Sequence, residues 1–145
     1  MSTTFPSLET LIRLAGLAQL ALVAVTPIIP HVLHWRSELA LVSVLTRRLF
    51  LVYASYILCT NVAFGLMSTF VPRWLLETSS LSTAVCAYIF LYWGARLVIQ
   101  LTCFRGIEKP AGRVFVAAEA VLIVLFVSLT SIYGLATFAG LGALE

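Results

Sequence analysis

The sequence predicts an all-α integral membrane protein, a four-helix bundle in up-down-up-down order with an interfacial amphipathic connector after the first span. Three observations carry this. Four apolar stretches of about 20 residues each are long enough to cross the ~30 Å hydrocarbon core as helices. Hydrophobic residues fill 61% of the 145 positions and charged ones 10%, with a mean hydropathy of +1.06, whereas a soluble domain carries roughly 25% charged residues. Most of the basic residues lie in the segments between these runs. A soluble enzyme, a disordered linker and a repeat solenoid are excluded by this composition.

The first span is expected over residues 11–29, ended by Pro27 and Pro30, which cannot continue helical hydrogen bonding. Its polar start resembles a signal peptide, but Glu9 precedes the first basic residue, Arg13, and no A-x-A site follows. The segment is therefore kept as a span. Residues 31–48 are too charged to cross and mix Val32, Leu33, Leu39, Leu41, Val42, Val44 and Leu45 with polar neighbours, as an interfacial helix does. Trp35 would sit at headgroup level, with Arg47 and Arg48 at the next span's start. The second span is expected over 49–71, closed by Pro72, Arg73 and Trp74. The third covers 81–104 and the fourth 114–138, joined by the basic loop 105–113 with Pro110 and Gly112 as turn residues. The chain forms one transmembrane domain, 1–145, without a detectable repeat.

Orientation follows from the basic residues. Arg36, Arg47, Arg48, Arg105, Lys109 and Arg113 belong to one face, and Arg13 and Arg73 to the other. The positive-inside rule makes the first face cytoplasmic, so both termini are expected outside, in a plasma membrane that would be the inner membrane of a bacterium. In this setting the net charge of +3 reports topology and not nucleic acid.

Arg96, inside the third span, is the most expensive residue to place, at roughly 2.5–3.5 kcal/mol on insertion scales. It lies about 12 Å inward from Phe104, and Glu119 lies about 8 Å inward from Val114, on neighbouring antiparallel helices. An intramembrane ion pair is expected between them. Tyr92, Arg96 and Gln100 form a polar stripe, with Trp93 placed to put its ring on the guanidinium. Gln19 on the first span and Tyr53, Tyr56 and Asn61 on the second fall about 15, 6, 10 and 18 Å from the cytoplasmic end. Two readings stay open for this cluster. One is interhelical glue. The other is a polar pocket for a small anion, a lipid headgroup or a proton, with Arg96 as anchor and Glu119 as its partner.

Other chemistry is thinly represented. His31, His34 and Glu38 would share a face of a helix, a weak metal-site spacing, and two histidines on one face cannot ligate haem b axially without a second chain. Cys59, Cys86 and Cys103 form no CxxC pair and read as packing residues, which excludes a thiol-disulfide enzyme of the four-helix quinone-coupled type. No aspartate, Gly-rich phosphate loop or Ser/His/Asp set is present, and no cofactor is expected. Small residues recur at Ala15, Ala18 and Ala21, at Ser55, Cys59 and Ala63, and at Ala136 and Gly140, as expected of close helix packing.

The stretches LYWGARLVIQ (91–100) and RRLFLVYASYILCTNVAFG (47–65) resemble a group of small uncharacterised bacterial four-helix integral membrane proteins, over most of the chain. The span number, the length and the LIRLAGL opening are similar to DoxX-like proteins. These resemblances imply a fold and no activity. The function expected is a non-enzymatic binding or accessory subunit. Its partners would be the bilayer, a lipid or small anionic ligand, and a partner membrane subunit or second copy. A proton- or anion-coupled transporter is the alternative, with a lipid-acting membrane enzyme third.

Overall fold

The computed structural model describes residues 7–32, 34–103 and 113–143. Its helices are α1 (Leu8–Val25), α2 (Ile29–Val32), α3 (Trp35–Glu38), α4 (Val44–Phe70), α5 (Pro72–Leu75), α6 (Ser80–Thr102) and α7 (Arg113–Gly142). Among the described residues four helical segments have the length and apolar character to cross a membrane: Leu8–Val32, Val44–Phe70, Ser80–Thr102 and Phe115–Gly142. The chain is a multi-pass helical membrane protein of the expected class. Three spans begin at a serine that satisfies an otherwise unpaired backbone N–H. Ser7 accepts from Thr10 at 3.3 Å, Ser43 from Thr46 at 3.2 Å and Ser79 from Ser82 at 3.2 Å.

Several expected boundaries move, each for a local reason. Pro27 and Pro30 do not end the first span. A 3-10 turn over Thr26–Ile28 absorbs Pro27 near its start, and Pro30 falls in the first turn of α2, where its missing N–H has no bond to lose. The connector is not one amphipathic helix, because His34 takes a left-handed conformation (φ 50°) that separates α2 from α3. Trp35 anchors α3 edge-on against Phe50, 5.0 Å between centroids. The second span starts at Val44, so Arg47 and Arg48 are within the helix instead of preceding it. Pro72 opens the short helix α5, where Leu75 is buried and its carbonyl accepts from the Cys86 thiol at 3.2 Å. Phe104, most of the 105–113 loop and Leu33 lie outside the described residues.

Packing divides the bundle into two close hairpins. α1 runs along α4 and α6 along α7, with α1 also against α7. At the α1–α4 crossing, Gly16 lies so near α4 that a Cβ there would come within 2.7 Å of the Thr69 nitrogen and 2.9 Å of the Gly65 oxygen. α4 meets α6 through aromatic side chains: Phe64 packs edge-on against Tyr88 and Tyr92, at 5.9 and 5.3 Å. The expected small-residue stripes are only partly used. Ala15, Ala136 and Gly140 face neighbours, whereas Ser55, Cys59, Ala63 and Ala21 point outward, and Gly65 replaces them as the contact on α4.

The buried side chains gather in one half of the bundle, the half holding the start of α1 and the end of α7. Ile12, Ala15 and Gln19, Asn61, Phe64 and Ser68, Cys86, Ile89 and Trp93, and Phe126, Leu129, Tyr133 and Ala136 form it. Among the described residues none is buried in 20–32, 44–60, 94–103 or 113–125. One half is therefore packed and the other open, with its side chains turned to whatever surrounds the protein.

Candidate functional site

The polar residues singled out in the sequence do not form one cluster. They separate into two groups, one on the border of the open half and one inside the packed half. In the first, the Tyr92 hydroxyl donates to Asn61 Oδ1 at 2.8 Å, tying α6 to α4. Asn61 is 4% exposed, so this bond satisfies an amide that would otherwise stand unpaired in an apolar setting. The Tyr92 ring stands perpendicular to Trp93, 5.4 Å between centroids, and Trp93 packs on Phe126 of α7 at 5.5 Å. Arg96 completes the group. Its guanidinium carbon lies 5.4 Å from the Tyr92 ring centre and 5.7 Å from that of Trp93. Two ring quadrupoles thus hold the cation, a contact worth about 0.5–2 kcal/mol each depending on desolvation.

The expected Arg96–Glu119 ion pair is not among the ion pairs between described residues, which are Glu9–Arg13 at 3.1 Å and Glu9–Arg73 at 3.4 Å. Similar depth on adjacent helices was a necessary condition and not a sufficient one, because the rotation of each helix also decides whether side chains meet. Arg96 and Glu119 are both half-buried. Gln100, a turn beyond Arg96, is half-buried as well. Tyr53 and Tyr56, expected near Arg96, are 65% and 69% exposed on the outer surface of α4 and belong to no enclosed pocket.

The second group is built on Gln19, which is fully buried. Its side-chain nitrogen donates to the Ala15 carbonyl at 3.2 Å and to the Tyr133 hydroxyl at 2.7 Å. Tyr133 Oη also bonds Ser68 Oγ, so α1, α7 and α4 meet at one phenol. Sequence reasoning missed Ser68 and Tyr133. The readable signal was the stripe Thr130, Tyr133, Thr137 at i, i+3 and i+7 on α7, hydroxyls that share one face of a largely apolar span.

The remaining candidates fall away on geometry. His31 and His34 are exposed and belong to separate segments, so His31, His34 and Glu38 do not share a helix face, and no group of three metal-ligating side chains gathers among the described residues. Cys86 packs in the core while Cys59 and Cys103 face outward. A groove of about 540 Å³ runs between α1 and α7, lined by Leu14, Ala18, Val121, Val124, Ser128 and Ile132. It is nearly all apolar and contains none of the predicted site residues. Comparison with known proteins finds no matching family model, no matching curated protein and no matching solved structure.

Proposed function

We propose that the chain is a non-enzymatic binding or accessory subunit of the membrane, whose open half receives an anionic group at Arg96. The observation that carries this reading is the setting of Arg96 itself. The guanidinium is held between Tyr92 and Trp93 on their ring faces, and the ion pairs among the described residues all involve Glu9 at the other end of the bundle. The rings and the neighbouring Tyr92 hydroxyl engage only part of the guanidinium, leaving N–H donors for a phosphate or carboxylate. Arg96 stands six residues from the end of α6, about 9 Å along the helix axis. Its head rests about one turn deeper, on Tyr92 and Trp93, and meets a lipid headgroup by swinging the stem from those rings toward the end of the helix.

Binding is favoured over carriage by the packed half, where Ile12, Cys86, Ile89, Trp93, Leu129 and Tyr133 are each at or below 1% exposure and fill the axis. The six basic residues assigned to that face support a cytoplasmic side for the open half and suit a leaflet rich in anionic lipid.

Native mass spectrometry from neutral detergent tests the reading. Wild type should retain added anionic phospholipid over a zwitterionic one, Arg96→Gln should lose the preference, and Arg96→Lys should keep only part of it, because an ammonium cannot form the bidentate contact. Equal retention by wild type and Arg96→Gln would reject the proposal.

A further inference from the structure

The Gln19 group in the packed half has a hydrogen-bond inventory that does not close. The Ala15 carbonyl can only accept, so it fixes which end of the Gln19 amide faces it: the nitrogen, at 3.2 Å. The second N–H goes to Tyr133. Gln19 Oε1 is then enclosed with no donor among the described residues. Tyr133 and Ser68 share one bond but own two hydroxyl protons. Whichever oxygen donates, one O–H proton of the pair lacks an acceptor within the group. Thr69 follows Ser68 in the chain, and its Oγ1 is likewise enclosed and unpartnered. It lies against Gly16, one turn before Gln19, at a crossing where a Cβ on Gly16 would reach it at 2.5 Å.

We infer that these side chains form a binding site for one water molecule between α1, α4 and α7. The water donates to Gln19 Oε1, accepts the surplus proton of the Tyr133–Ser68 pair, and takes Thr69 Oγ1 as its third partner. Buried waters characteristically make about three such bonds to polar groups that the protein leaves unpaired. Hydrocarbon offers no substitute partner, so an unfilled inventory is costly at this depth. The site is separate from Arg96: it joins three spans and carries no fixed charge.

The chain has two glutamines, Gln19 and Gln100, so 15N-glutamine labelling yields two side-chain amide signals, assigned by Gln19→Leu. In bilayers, polarisation transferred from water should build up at the Gln19 amide despite its complete burial. Absence of transfer to Gln19, with Gln100 responding, would overturn the inference. A density map that resolves ordered water should show an isolated peak within hydrogen-bonding reach of Gln19 Oε1 and the Tyr133–Ser68 pair. Direct donation from Thr69 Oγ1 to Gln19 Oε1 with no such peak, or elongated density of an acyl chain or detergent, would equally overturn it.

Discussion

The α1–α4 crossing makes a quantitative prediction about glycine. A methyl group at Gly16 would come within 2.5 Å of Thr69 Oγ1, 2.7 Å of the Thr69 nitrogen and 2.9 Å of the Gly65 oxygen. The last two are backbone atoms of a packed helix and cannot rotate aside, so the helices must separate. Overpacking of this kind costs about 1–3 kcal/mol, and the double backbone clash argues for the upper part of that range. A loss of about 2 kcal/mol is roughly thirtyfold in the folded-to-unfolded ratio. At Gly65 the nearest atoms are Cδ2 and Cγ of Leu20, at 2.8 and 2.9 Å, on a side chain that can change rotamer. At Gly94 the only neighbour within 4 Å is Thr130 Cγ2, at 3.7 Å, an ordinary contact. Alanine there should be neutral or stabilising by up to about 1 kcal/mol, since it lowers the entropy cost of the helix. Unfolding titrations in mixed micelles should therefore rank Gly16→Ala as most damaging, then Gly65→Ala, then Gly94→Ala. Wild-type stability for Gly16→Ala would refute the close crossing and with it the packing of α1 on α4.

Tyr92→Phe should destabilise the bundle by about 1–2 kcal/mol, because buried Asn61 loses its donor, and Asn61→Leu should partly rescue it in the double variant; both are read from the same titrations. Tyr53→Phe and Tyr56→Phe should stay within about 0.5 kcal/mol of wild type in thermal melts, since both hydroxyls face outward. In a background lacking the native cysteines, Thr3→Cys should react with an impermeant reagent applied from outside and Lys109→Cys should not; the reverse pattern would invert the proposed orientation.

The four spans were legible because a 20-residue apolar run leaves a helix few alternatives to crossing the membrane. Their ends were less so. Pro27 and Pro30 look like terminators, yet each fell where a helical turn begins and needs no N–H. The start of α4 was set by the Ser43 cap and not by the last arginine. At the site, the cost of burying Arg96 and Gln19 made both conspicuous, but composition carries no information on helix rotation. Rotation turns Tyr53 and Tyr56 outward, decides that Arg96 and Glu119 do not form an ion pair, and brings Tyr133 to Gln19 across 114 residues of chain, whereas the contact of Arg96 with Trp93, three residues back on the same helix, was legible from spacing alone. Hydroxyls such as Ser68 cost little to place in a span, which is why their role emerges only from packing.

The central claim, that Arg96 in the open half meets an anionic headgroup, is most directly tested by dipolar coupling between guanidinium 15N and lipid 31P in bilayers. Strong dephasing of the Arg96 signal by lipid phosphorus is expected, assigned by its loss in Arg96→Gln and surviving dilution of anionic lipid in a zwitterionic host. Dephasing confined to the other arginines, with the Arg96 signal unaffected, would contradict it.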